Sequence, residues 1–196
     1  MKRFPILLFI FSLCILSACK DNTRSPLEVR LYNADNDAVG TATFKEQADK
    51  VTVHVTAEGL TPGFHGIHIH EYPACEGPDF QTAGNHFNPK GKDHGLMNPK
   101  GAHLGDMPNI EADPSGAVDV ELDIPEATLM DGNTSLLREN GTSIIIHEKQ
   151  DDGISQPAGD AGNRVVCGVI SLDESNQENK PTDPTEVDKE EEKKGK

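Results

Sequence analysis

Positive charge is scarce in this sequence. Its 196 residues include 18 lysines and arginines against 33 aspartates and glutamates, which gives a formal net charge of −15. A protein that binds the phosphates of nucleic acid needs a concentrated basic surface, and none is visible here. The same balance argues against an extended contact with anionic lipid. We therefore exclude nucleic acid as a partner, and expect an anionic substrate to need local positive charge.

Sustained helical periodicity is also missing. Short β-prone runs alternate instead with Gly, Pro, Asn and Asp, at residues 27–31, 38–44, 51–56, 65–69, 117–122, 143–146 and 165–170. This pattern predicts an all-β domain built as an antiparallel sandwich or barrel. Alternation in the third run points its valines inward and His54 outward, so we interpret His54 as a solvated strand residue.

No apolar run is long enough to cross a bilayer, which takes about 20 residues. The first 18 residues combine a charged start, a short apolar run and a small-residue end, and so predict a secretory signal peptide. A membrane span is the alternative interpretation, and the run is too short for it. Leu16-Ser17-Ala18-Cys19 resembles the lipobox of bacterial lipoproteins, which makes Cys19 the predicted lipidation site.

The two ends of the exported chain are polar. Residues 19–26 would form the lipid anchor and a short tether, and residues 173–196 contain no aromatic side chain and many glutamates and lysines. Such a tail buries too little apolar surface to offset its chain entropy, so we predict that it is disordered. One domain, residues 27–172, lies between them.

Few cysteines remain for that domain. Cys14 falls in the signal peptide and Cys19 is the lipidation candidate, which leaves Cys75 and Cys167. Outside the cytosol two such thiols are expected to form a disulfide, and two buried free thiols are the alternative.

Seven of the eight histidines, all except His54, fall within residues 63–71, 84–106 and 144–149, together with Asp106. A mixed His/Asp ligand set suits zinc and an all-His set suits copper. The period of a strand puts His68 and His70 on one face, as a shared metal requires. Residues 72–111 show no convincing strand or helix. Because structureless loops of that length are uncommon, we expect a metal and a disulfide to fasten this one.

The residues resemble the copper/zinc superoxide dismutase family over about residues 27–172. The matching strings, in family order, are Gly-Phe-His-Gly-Ile-His-Ile-His-Glu, Gly-Asn-His-Phe-Asn-Pro, Lys-Asp-His-Gly, His-Leu-Gly-Asp-Met-Pro-Asn, Ile-Ile-His-Glu-Lys and Gly-Asn-Arg-Val-Val-Cys-Gly-Val-Ile. The resemblance implies a Greek-key β-barrel or sandwich of about eight antiparallel strands, with one long loop fastened by metal and a disulfide.

The resemblance also implies two metal sites, each holding one ion per subunit. The copper ligands would be His68, His70, His86 and His147. The zinc ligands would be His86, His94, His103 and Asp106, with His86 shared between the two ions.

The family resemblance also implies roles for several other residues. Arg164 would dock superoxide beside copper, and His86 would carry a proton into the second half of the reaction. Asp151 would link His68 to His94, although its neighbour Asp152 is an equal candidate on sequence alone. His65 would be structural and bind no metal. Lys149 and Arg164 are the only positive charges expected near the site.

The implied function is disproportionation of superoxide to dioxygen and hydrogen peroxide by an exported, lipid-anchored enzyme that protects the cell exterior. The alternative is a non-catalytic, dismutase-like lipoprotein that binds zinc or copper. The membrane would be contacted only through the lipid on Cys19, and both a monomer and a homodimer stay open.

Overall fold

The computed structural model describes residues 25–130 and 132–172. They form nine β-strands and one 3-10 turn: β1 (Leu27–Asn33), β2 (Ala38–Glu46), β3 (Lys50–Ala57), β4 (Gly63–His65), β5 (Ile67–His70), η1 (Gln81–Ala83), β6 (Ile110–Ala112), β7 (Val118–Pro125), β8 (Thr142–His147) and β9 (Arg164–Ile170). The all-β prediction is confirmed. The predicted signal peptide, the lipidation site at Cys19 and the C-terminal tail lie outside the described residues. Among the described residues, no helix has the length and apolarity to span a bilayer.

Seven strands form one sheet in the order β5-β8-β9-β1-β2-β3-β7, and all neighbours are antiparallel. β4 and β6 pair separately. β4 runs into the edge strand β5, and β6 contacts the opposite edge strand β7. The small sheet therefore sits between the two edges of a curled, Greek-key half-barrel.

The alternation in β3 follows its sequence. Val51, Val53 and Val55 are fully buried, whereas His54 is exposed and pairs with Asp119 at 2.7 Å. Thr52 lies on the same face of β3 as His54 but is buried, because its hydroxyl lies between the side chains of Gln47 and Asp123.

One predicted strand, residues 65–69, is divided at Gly66. Before it β4 pairs with β6, and after it β5 pairs with β8. The Gly66 amide donates to Lys149 O and its carbonyl accepts from the His147 amide, both at 2.8 Å. The change of partner has no local signal in the sequence, and together with the short strand β6 it accounts for nine strands where about eight were expected.

A disulfide joins Cys75 to Cys167, which confirms the predicted pairing. Both cysteines belong to a small apolar cluster beside the main core, with Phe80, Ile145 and Val169 among its members. The bond fastens the start of the long irregular segment to β9. It closes a sequence separation of 92 residues.

We predict that replacing both cysteines, Cys75→Ala with Cys167→Ala, lowers the free energy of unfolding by about 4 to 5 kcal/mol, because the unfolded chain regains the entropy that the long closed loop removed. Guanidinium unfolding of the metal-free protein measures the change. The unmutated protein under reducing conditions should unfold like the double variant. A loss below about 1 kcal/mol would contradict the prediction.

Candidate metal centre

Two groups of side chains, all buried except the partly buried His103, bring their ligating atoms together. The first group is His68, His70, His86 and His147, and the second is His86, His94, His103 and Asp106. Within each group the ligating atoms all lie within 4.8 Å of one another. The sequence-predicted ligands therefore meet in the two expected sets, and His86 belongs to both.

The edge strand β5 organises this convergence. His68 and His70 lie on β5, and His147 ends its partner β8. Residues 84–109, called the ligand loop below, pack along the other edge of β5: Ile69 donates to Gly105 O at 2.9 Å and accepts from the Phe87 amide at 2.8 Å. A side chain at Gly105 would overlap the carbonyl of Ile69, so glycine permits this close contact.

Hydrogen bonds orient three rings of the first group. His68 Nε2 donates to Asp151 Oδ2 at 2.7 Å, and His70 Nδ1 donates to Gly84 O at 3.0 Å. His147 Nδ1 faces Gly162 O at 3.4 Å. Because each donating nitrogen faces outward, the other nitrogen of each ring presents a lone pair to the centre.

The second group surrounds the carboxylate of Asp106. Its Oδ1 lies 2.9 Å from His86 Nδ1 and 3.2 Å from His103 Nδ1. Its Oδ2 accepts the amides of Gly95 and His103 at 2.9 and 3.0 Å, and lies 3.1 Å from His94 Nδ1. Three imidazoles and one carboxylate thus enclose a single point.

Several ring nitrogens in the two groups are buried without a hydrogen-bond partner: His68 Nδ1, His70 Nε2, His86 Nε2, His94 Nδ1, His103 Nδ1 and His147 Nε2. Each unsatisfied buried polar atom costs about 1 to 3 kcal/mol, so a set this large calls for an explanation. A metal ion in each group would satisfy them. The all-imidazole set fits copper, and the closed His/Asp set fits tetrahedral zinc.

Asp151 connects the two groups. Its Oδ2 accepts from His68, and its Oδ1 lies 3.1 Å from His94 Nε2 and accepts the Gly153 amide at 2.6 Å. The neighbouring Asp152 is exposed and instead accepts the amides of residues 154 and 155. The structure thus places Asp151, and not Asp152, between the rings.

The histidines of the first group are poised to be neutral. Burial holds the pKa of His70 well below its usual value and lowers that of His68. Burial also lowers the pKa of His86 to about 4 and that of His147 to about 3. Neutral rings are the form that binds a metal.

The second group has the opposite electrostatics. Burial raises the pKa of Asp106, but the nearby rings of His103, His86 and His94 outweigh burial and hold the pKa well below its usual range. Burial likewise lowers the pKa of His94, but the carboxylates of Asp106 and Asp151 outweigh it and raise the pKa to about 9. Without a metal, His94 therefore keeps a proton at neutral pH.

A cavity of about 750 Å³ opens beside the first group, and Arg164 lines it together with His70, His86 and His147. The half-buried guanidinium donates from Nη1 to Phe80 O and from Nη2 to Gly84 O, both at 2.7 Å. Burial lowers the pKa of Arg164, yet an arginine remains charged. The carbonyl of Gly84 therefore positions both Arg164 and His70, a role that the sequence did not signal.

Arg164 is the only lysine or arginine among the described residues that line this cavity, and two acids, Glu71 and Asp79, line it as well. Lys149, expected near the site, is exposed and does not line it. His65 stands outside both groups, with its ring nitrogens 2.7 Å from His147 O and Thr61 O.

The profile of the family described as copper/zinc superoxide dismutase (SODC) matches residues 38–170. The chain belongs to this family. As a member of the copper/zinc superoxide dismutase family, it is 46% identical to superoxide dismutase [Cu-Zn] 2 of Aquifex aeolicus over 142 residues, which are 71% of this chain and 83% of that protein. It is 43% identical to the superoxide dismutase-like protein YojM of Bacillus subtilis over 145 residues, which are 72% of this chain and 74% of that protein.

Solved structures of the copper/zinc superoxide dismutase family agree with the fold. A SOD-like protein from Bacillus subtilis superposes with a TM-score of 0.72 at 39% identity, covering 74% of this chain and 99% of that one. Cu/Zn superoxide dismutase from Brucella abortus superposes with a TM-score of 0.62 at 30% identity, covering 75% of this chain and all of that one.

We predict that zinc affinity of the metal-free protein rises about tenfold per pH unit from pH 6.5 towards pH 9, because zinc must displace the proton held by His94. Competition with a chromophoric chelator, corrected for the chelator's own protonation, measures the affinity. Copper(II) affinity of the all-histidine group serves as the internal comparison. It should change little over the same range, since those rings are already neutral. A zinc affinity independent of pH would contradict the pKa assigned to His94.

Proposed function

We propose that this chain disproportionates superoxide to dioxygen and hydrogen peroxide, with copper in the all-histidine group and zinc in the His/Asp group. One observation carries the proposal: four buried imidazoles aim their free lone pairs at a single point, beside a half-buried arginine at the end of an open cavity. Copper bound there would supply one-electron chemistry in both directions, which redox-inert zinc lacks.

The chain's own residues supply substrate binding. Superoxide is a small anion, and the guanidinium of Arg164 is fixed by two backbone carbonyls beside His70 and His147. Two carbonyl acceptors hold the fork in one orientation, so its remaining N–H groups and its charge are available to an anion. In a chain of net charge −15 this local charge is what lets an anion reach the imidazole group.

His86 supplies a proton position. Its Nδ1 faces Asp106 and its Nε2 faces the first group, so the ring can hold a proton at Nε2 next to the cavity while Nδ1 stays engaged. The His/Asp group would hold zinc in a structural role, because its four ligands close the coordination shell and fix the ligand loop.

A non-catalytic metal-binding role is the second candidate. It is favoured by one relative, at 43% identity, whose printed name is superoxide dismutase-like protein. This chain retains four histidines in the first group and Arg164 at the cavity. Turnover measurements distinguish the two functions.

The central test is the decay of superoxide, followed by stopped flow, with protein loaded with copper and zinc. We expect about one of each metal per chain and rapid decay. Arg164→Ile should lower the rate at least several-fold with both metals still bound, because the anion loses its docking charge, while Arg164→Lys should retain part of the rate. Full metal loading without decay of superoxide would favour the non-catalytic role. An unchanged rate in Arg164→Ile would remove Arg164 from the mechanism.

We also propose that the protein is exported and anchored to the cell membrane by a lipid on Cys19, as the N-terminal sequence predicts. Expression of the full chain in a bacterial host with labelled palmitate should give a labelled protein in the membrane fraction. Cys19→Ser should abolish both the label and the membrane association, because a signal peptide alone leaves no anchor. An unlabelled but still membrane-bound wild-type protein would contradict lipidation.

A further inference from the structure

The cavity beside the first group carries more acidic than basic side chains. Arg164 is the only lysine or arginine among its described lining residues, whereas Glu71 and Asp79 both line it. An opening that served only an anion would gain from the reverse balance, because each acid repels the anion. The two acids therefore call for a role that the binding of superoxide does not explain.

The same cavity is the opening onto the all-histidine group. His70, His86 and His147 line it, although only 0%, 5% and 3% of their surfaces are exposed, and the Nε2 atom of each is buried without a hydrogen-bond partner. His68 is fully buried and does not line it. A metal ion that reaches these lone pairs in the folded chain therefore comes through the cavity.

Two ions of opposite charge would thus use one opening. Arg164 attracts superoxide, and the same guanidinium repels a copper cation. Burial lowers the pKa of Arg164, while the charge of Asp79 acts in the opposite direction, so the acid is close enough to influence the guanidinium. Asp79 therefore offsets the field of Arg164 in the cavity.

The turn around Phe80 fixes both charges. Phe80 has a left-handed backbone with a φ of 52°, its side chain is fully buried, and its carbonyl accepts from Arg164 Nη1 at 2.7 Å. The preceding residue, Asp79, is exposed, and its Oδ1 accepts the Gln81 amide at 3.2 Å. The segment that holds the guanidinium thus also holds an acid at the rim of the cavity.

We propose that copper enters the all-histidine group through this cavity, and that the charge of Asp79 draws the cation in and thereby weakens the attraction of superoxide. Asp79 acts through its field and is not a copper ligand. The inference rests on the proposed copper site and does not depend on redox turnover.

A change of Asp79 to asparagine isolates the charge. Asp79→Asn removes the charge and keeps a side-chain oxygen that can accept the Gln81 amide. Glu76→Gln is the matched control, because Glu76 is an exposed acid of the same segment that does not line the cavity. The two variants therefore lose the same charge at different distances from the opening.

Glu71 is unsuitable for this test. Its carboxylate accepts the Asn85 amide at 3.0 Å, and its side chain lies against Gly84. The Gly84 carbonyl positions both His70 and Arg164, so a change of Glu71 would alter the geometry of the site as well as its charge.

Copper uptake is measured by stopped flow with the full chain, its His/Asp group filled with zinc, in a non-coordinating buffer at low ionic strength. The visible absorption of bound Cu(II) reports entry. Superoxide decay is then followed with both metals bound.

Asp79→Asn should slow Cu(II) uptake about fourfold and speed superoxide decay about twofold. A unit charge about 10 Å away in water changes the encounter rate of a monovalent ion about twofold, and the factor is squared for a divalent ion. Glu76→Gln should stay close to the unmutated protein in both rates. Both differences should shrink in about 0.5 M salt, which screens exposed charges.

The opposite signs of the two changes are decisive, because damage to the fold or to the histidines would slow both processes. Unchanged copper uptake in Asp79→Asn, or a change of both rates in the same direction, would overturn the inference and leave the proposed copper site standing. A protein that takes up zinc but no copper would overturn that site, and this inference with it. Slower copper uptake in Asp79→Asn, in a protein that does not remove superoxide, would support the inference and contradict the proposed turnover.

Discussion

The imidazole of His86 is the constraint around which the site is arranged. Each of its nitrogens faces a different ligand group, so the ring must be held from both sides at once. Its centroid lies 4.0 Å from that of His68 and 5.1 Å from that of His94, one from each group. A ring confined in this way cannot rotate without breaking contacts in both groups. The packing of the ligand loop on β5 serves to place it there.

The loops that carry this ring have almost no regular structure, and specific contacts hold them instead. The disulfide ties the start of the long segment to β9, and backbone hydrogen bonds tie the ligand loop to the edge of β5. Asp151 then joins rings of the two groups. The side-chain amide of Asn109 hydrogen-bonds the backbone of Asp151, and that of Gln156 hydrogen-bonds the backbone of His94. Each of these hydrogen bonds satisfies a polar group that would otherwise be unpaired near the buried site.

The two ligand groups differ in charge when no metal is bound. The first group is neutral because burial disfavours protonated rings, and the second keeps a proton on His94 because two carboxylates outweigh burial. The two sites share one ring, yet a proton competes with the metal at the second site and not at the first. The chain carries a large negative charge. Among the described residues that line the cavity, Arg164 is the only lysine or arginine, so it is the side chain that can attract an anion.

Much of this protein was determined by its sequence alone. Strand alternation at Val51, Val53 and Val55 predicted the buried face of β3. The clustered histidines indicated metal binding, and the family resemblance carried by their motifs assigned the residues that meet in the two groups. Only the tertiary structure decided the rest. The change of strand partner at Gly66, the choice of Asp151 over Asp152, and the roles of Gly84, Asn109 and Gln156 all depend on contacts between residues far apart in the chain. Local patterns carry no record of such contacts, since they arise only when the loops fold onto the edge of β5.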